Sequence, residues 1–89
     1  MQFEWDEAKR QANLRKHGVD FADAVGVLYD DHAITRPDPD STGEARSITI
    51  GLGSSLRILL VVWTERRGEI YRLISARRAS PGEIRQYQE

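Results

Sequence analysis

Cysteine is absent from this chain. That rules out a disulfide framework and a thiolate metal site, and it allows a reducing compartment. Long hydrophobic runs are missing too: the longest, Ile58 to Trp63, is far too short to span a bilayer. The opening Met1-Gln2-Phe3-Glu4-Trp5 has neither the basic flank nor the apolar stretch of a secretory signal. A cytoplasmic protein with no membrane association is therefore expected. Histidine occurs only at His17 and His32, and Asp38 and Asp40 have no flanking ligands at a metal-site spacing, so no metal centre is readable. A Gly-rich phosphate loop is lacking, and no serine sits in a motif that supplies a base and an orienter. Whatever chemistry remains must be built from Arg, Lys, His, Glu and Tyr, without metal or cofactor.

With 89 residues, 39% hydrophobic and 30% charged, the chain has room for one domain, residues 1–89, with one modest core. Its net charge of −1 hides a division. Residues 1–44 carry ten Asp/Glu against five Lys/Arg, a balance of −5, and residues 45–89 carry four Glu against eight Arg, a balance of +4. All the cations of the second half are arginine, whose planar fork grips phosphate and stacks on bases. The pI of about 6.1 argues against general coating of nucleic acid and leaves room for a local anion site.

The pattern along the chain predicts β-α-α-β-β-β-β-α. Phe3 to Trp5 reads as a strand, and Asp6 caps a helix that runs to His17 and stops at Gly18. Asp20 caps a second helix over 21–29, in which Gly26 weakens the helix and permits close packing. A short strand is expected over 33–35, then a Pro/Asp loop to Gly43. Strands over 46–52, 56–65 and 69–77, separated by Gly53-Ser54-Ser55 and Arg66-Arg67-Gly68, read as an antiparallel meander. Ser80-Pro81-Gly82-Glu83 is a capping box that opens a helix to Gln88. The fold class is α+β, an antiparallel sheet with two N-terminal helices on one face and a short C-terminal helix. The other face, or its rim, is left for a ligand.

Side chains of the available types are sufficient to cleave RNA. A base takes the 2′-OH proton, an acid protonates the leaving oxygen, and cations stabilise charge on phosphorus. Alternation predicts Leu73, Ser75 and Arg77 on one face, with Arg72, Ile74 and Ala76 on the other. Arg77 then ends its strand beside a helix N-terminus, a favourable place for phosphate; the alternative is a structural pair with Glu65 or Glu83. Lys9, Asn13, Lys16 and His17 form one polar stripe on the first helix, open to RNA or a protein partner. His17 is equally suited to the helix dipole, and Lys16 to solvent. Glu65 fits a general base or a holder of Arg77, or a solvated turn. Arg66 makes that turn basic, Arg46 borders the apolar strand face with its stem, and Tyr87 stacks on a base or anchors the last helix.

Several segments carry a family likeness in their order and spacing: Phe3-Glu4-Trp5-Asp6, Asn13-Leu14-Arg15-Lys16-His17-Gly18-Val19, Thr35-Arg36-Pro37-Asp38, Arg46 to Leu52, Val61 to Arg66, and Leu73-Ile74-Ser75-Ala76-Arg77-Arg78. Over nearly its whole length the chain resembles the BrnT family of bacterial toxins. That resemblance implies a RelE/ParE-related fold and a metal-independent endoribonuclease that inhibits translation within a type II toxin–antitoxin system. It further implies RNA as substrate and a ribbon-helix-helix antitoxin, BrnA, with operator DNA reached only through the toxin–antitoxin complex. On this footing Arg77, Glu65, His17 and Lys16 are the expected catalytic residues, and Arg66, Arg46, Arg78 and Tyr87 the expected substrate-binding ones. A non-catalytic relative that only binds the antitoxin and represses an operon, and a ParE-like toxin against a protein target, keep the same fold with a different function.

Overall fold

A computed structural model describes residues 1–89. The chain opens with β1 (Gln2–Glu4), one residue earlier than the alternation predicts, because Trp5 leaves the strand to set its ring edge-on against Phe21 at 5.9 Å. Asp6 caps α1 (Glu7–His17) by accepting the Lys9 N–H at 3.1 Å. Gly18 stops it at φ 68°, a left-handed turn that costs glycine little.

Asp20 caps α2, but the expected nine-residue helix is corrected: α2 covers Phe21–Ala24 and the chain then tightens into a 3-10 turn, Val25–Tyr29. The cause is a close neighbour. The Asp23 carbonyl accepts a bond from the Ser54 N–H at 3.1 Å, and a Cβ on Gly26 would lie 2.6 Å from Ser54 Oγ. Gly26 thus permits the close packing foreseen for it.

Four strands follow: β2 (Ile34–Pro37), β3 (Ser47–Leu52), β4 (Ile58–Arg66) and β5 (Ile70–Arg78). β2 begins after Ala33 and runs past Thr35 to Pro37, which is tolerated because β2 is an edge strand. β4 starts two residues later than expected, since Leu56 sits in the preceding turn at φ 66°. The element order is as predicted, with α3 (Pro81–Gln88) last and its capping box complete.

The sheet order is β1-β5-β4-β3-β2. β2 to β5 pair antiparallel, but β1 joins β5 in parallel, from Gln2 opposite Ile70 to Glu4 opposite Arg72. The all-antiparallel sheet is therefore corrected to a mixed one. Phe3 stacks near Tyr71 and Tyr29 at 6.0 and 5.6 Å, and Glu4 pairs with Arg72, so aromatic burial and one ion pair seat the strand.

The alternation expected along β5 is corrected as well. Val62 lies opposite Ser75 but Trp63 lies opposite Leu73, which leaves Ile74 as the extra residue of a β-bulge. Leu73 and Ala76 consequently share the core with Val19, Phe21, Ala24, Val27, Leu59 and Val61. Each Val, Leu or Phe of this set contributes about 1.5–3 kcal/mol by burial. α1, α2 and the 3-10 turn cover this face. α3 packs on β3 and is tied to the second face by Arg77–Glu83.

Candidate functional site

Directly paired residues share a sheet face, so register builds the second face row by row. Arg36, Ile48, Val62 and Ser75 make one row, and Ile50, Leu60 and Arg77 the next. A hollow of about 340 Å³ opens over both rows. Its floor is Ile48, Leu60 and Val62, and its walls are Arg36 with Asp38 and Asp40, Arg77 with Glu83, and His17 from the end of α1.

Arg77 is held in place here. Its Nη1 and Nη2 donate to the two Glu83 oxygens at 2.8 and 2.9 Å, and Nη1 also donates to the Arg78 carbonyl at 3.1 Å. Five guanidinium N–H groups minus these three leaves two free for another acceptor. The same pair raises the Arg77 pKa and, with the Ser80 N–H, depresses the Glu83 carboxyl to about 2. Of the two partners foreseen for Arg77, the structure selects Glu83.

Arg36 and Arg46 are different. Neither is among the ion-paired arginines, which are Arg10, Arg57, Arg66, Arg72 and Arg77. By alternation Arg46 falls on the Ile48 face, two residues farther along, and its Nε is buried without a partner. Arg36, exposed in the wall above the apolar floor, is suited to a phosphate oxygen, whereas Arg46 does not line the hollow.

The expected site residues separate into groups. Arg77 and His17 meet at this hollow, and Lys16 lies beside His17 in an adjoining one. Glu65 is not brought to Arg77: it pairs with Tyr71 on the helix-covered face, five strand positions or roughly 16 Å along from Leu60. Arg66 is at that far end too, bonded to Glu44 at 3.2 Å. Arg78 lies opposite Leu59 and faces away from the hollow. The Tyr87 hydroxyl donates to Asp30 Oδ2 at 2.6 Å, which fits the anchoring alternative. Asn13 departs from the expected stripe, since it is buried and bonded to the backbone of Ala76 and Val19.

Arg36 is the residue that sequence reasoning passed over. The signal was its place in Thr35-Arg36-Pro37-Asp38, just past the expected 33–35 strand, and only the β2–β3 pairing shows that it lies in a strand and which face it takes. A separate cavity of about 200 Å³, lined by Met1, Leu28, Trp63 and Tyr71 together with Asp30, Thr35 and Thr49, has no cationic side chain in its wall. The side chains assemble no group of three His, Asp or Glu able to hold a metal ion, and no helix is long and apolar enough to cross a membrane.

Residues 5–83 match the family described as the ribonuclease toxin, BrnT, of type II toxin–antitoxin systems. The crystal structure of the Brucella abortus ribonuclease toxin, BrnT, is similar at a TM-score of 0.71 and 36% identity, over 90% of this chain and 97% of that one. No curated protein matches the chain.

Proposed function

The chain belongs to the BrnT family of ribonuclease toxins of type II toxin–antitoxin systems, and on that premise we propose that the arginine-lined sheet face binds RNA and cleaves it by 2′-OH attack, without metal. The observation that carries this reading is the convergence of Arg36, Arg77 and His17 around one hollow. Arg77, oriented by Glu83, and Arg36 hold the scissile phosphate and stabilise the charge that grows on its oxygens. Arg46 binds a neighbouring phosphate. Histidine is the residue type that exchanges protons near neutral pH, and His17 is the one at this hollow. It accepts the 2′-OH proton as the 2′ oxygen bonds to phosphorus, and the P–O5′ bond breaks as the departing 5′ oxygen takes a proton from solvent water. The products are a 2′,3′-cyclic phosphate and a 5′-OH end, and DNA, lacking the 2′-OH, is refractory.

In the cell this activity would inhibit translation in the cytoplasm. A BrnA-type ribbon-helix-helix antitoxin would neutralise it and carry the toxin to operator DNA, and the relation to RelE-like toxins belongs to the same reading. The test is incubation of purified toxin with a defined RNA, and with DNA of the same sequence, in excess EDTA. Cleavage of RNA alone with cyclic phosphate ends supports the proposal. Activity that disappears in EDTA and returns with a metal ion defeats the metal-free mechanism. Intact RNA with tight antitoxin binding points to a non-catalytic module, and topoisomerase inhibition to a ParE-like toxin.

A further inference from the structure

We propose that the RNA track continues over the free edge of β5 onto α1, where Lys9 and Lys16 hold a flanking stretch of single-stranded RNA. This rests on the ribonuclease reading and extends it to the form and length of the substrate.

β1 pairs only with Ile70, Tyr71 and Arg72, so from Leu73 onward the outer edge of β5 has no neighbouring strand. α1 lies beside that edge, fixed by Asn13 to Ala76. Between them is a second hollow of about 240 Å³, whose wall includes Lys9, Lys16 and Ile74. It shares His17 and Ser75 with the hollow on the sheet face, so the two adjoin at a saddle.

The charge on the helix side of the saddle is one-sided. No carboxylate lines the second hollow, and neither lysine belongs to any of the molecule's ion pairs. Seven residues apart on one helix, the two lysines stand ~10 Å apart along its axis, room for a run of backbone rather than one phosphate. Ile74, displaced by the bulge, gives a base an apolar surface between them. Backbone-tracking cations with apolar contacts for bases are how single strands are held. A duplex, stiff over far greater lengths, cannot turn from the sheet face across the edge to the helix.

The test is binding of uncleavable 2′-O-methyl oligonucleotides, measured by fluorescence anisotropy: a trinucleotide, a long single strand, and that strand annealed to its complement. Wild type is compared with Lys9→Ala/Lys16→Ala and with Arg15→Ala/Arg85→Ala, which removes the same charge from positions lining neither hollow. Wild type should bind the long single strand roughly tenfold tighter than the trinucleotide, the duplex gaining nothing. Losing two phosphate contacts should flatten the dependence of log affinity on log salt by about 1.4 in the lysine variant. The arginine control should keep both the gain and the slope. The proposal is overturned if the lysine variant keeps the gain, if both variants lose it equally, if the duplex binds as well, or if the lysine changes weaken only antitoxin binding. A wild type that shows the track yet cuts no RNA would defeat the ribonuclease reading and leave the track standing.

Discussion

Asn13 on α1 grips Ala76 on β5 through both ends of its carboxamide. Nδ2 donates to the Ala76 carbonyl at 2.8 Å, and Oδ1 accepts the Ala76 N–H at 3.1 Å. A further bond from Nδ2 to the Val19 carbonyl, at 3.0 Å, closes the turn after α1. The side chain stands in for a strand where β1 has already left the edge, and it does so one residue before Arg77. It therefore fixes the distance between the helix that carries His17 and the strand that carries Arg77.

Asn13→Ala should consequently destabilise the fold by roughly 2–4 kcal/mol, because it strands buried backbone groups as well as removing bonds. Urea denaturation would show a lower midpoint with an unchanged slope. RNA cleavage should fall even under conditions where the variant is folded. A midpoint equal to wild type would show that the clamp contributes nothing.

Element order, both N-caps of the first half, the Gly18 stop and the final capping box were legible in the sequence, because each depends on residues within a few positions of one another. The parallel pairing of β1 with β5 was not, since it joins residues 68 positions apart, Gln2 with Ile70. The bulge at Ile74 was hidden for a similar reason: nothing in Leu73-Ile74-Ser75 differs from an ordinary strand until β4 lies opposite. Site residues followed the same division. Arg77 was legible as a strand-end cation, whereas Asn13 looked like surface, and Arg36 and Glu65 could be sorted onto faces only once the register was known.

The Arg77–Glu83 pair should leave a signature in acid. The Glu83 pKa is depressed to about 2 from an ordinary value of 4.5. Its contribution is thus fully present above pH 4.5 and is lost as pH falls toward about 2. Arg77 is 41% exposed, so solvent screening reduces the contribution to about 1 kcal/mol. Denaturation curves of wild type and Glu83→Gln should converge across this window. Parallel curves at all pH values would mean the pair contributes no stability.

Tyr87→Phe should separate anchoring from base stacking. It keeps the ring but removes the 2.6 Å bond to Asp30, a carboxylate held below its ordinary pKa by the Tyr87 hydroxyl and the Leu52 and His32 N–H groups. The cost should be about 1–2 kcal/mol, with faster amide exchange across α3 and little change in RNA cleavage. A large loss of RNA affinity without faster exchange would put Tyr87 in the substrate site instead.

The sharpest contrast is between Arg36 and Glu65, because sequence and register rank them in opposite order. Arg36 has no carboxylate partner and lines the hollow that contains Arg77, while Glu65 lies on the covered face beside Tyr71. Arg36→Ala removes charged hydrogen bonds to phosphate, each worth about 1.5–3 kcal/mol, so kcat/KM should fall roughly 10- to 100-fold. Arg36→Lys should recover only part of that, since an ammonium cannot reproduce the bidentate fork. Glu65→Gln should stay within a few-fold of wild type, because roughly 16 Å of strand separates it from Arg77. If Glu65→Gln is inactive and Arg36→Ala is not, the RNA lies at the hairpin end of the sheet, and the hollow around Arg77 is not where cleavage occurs.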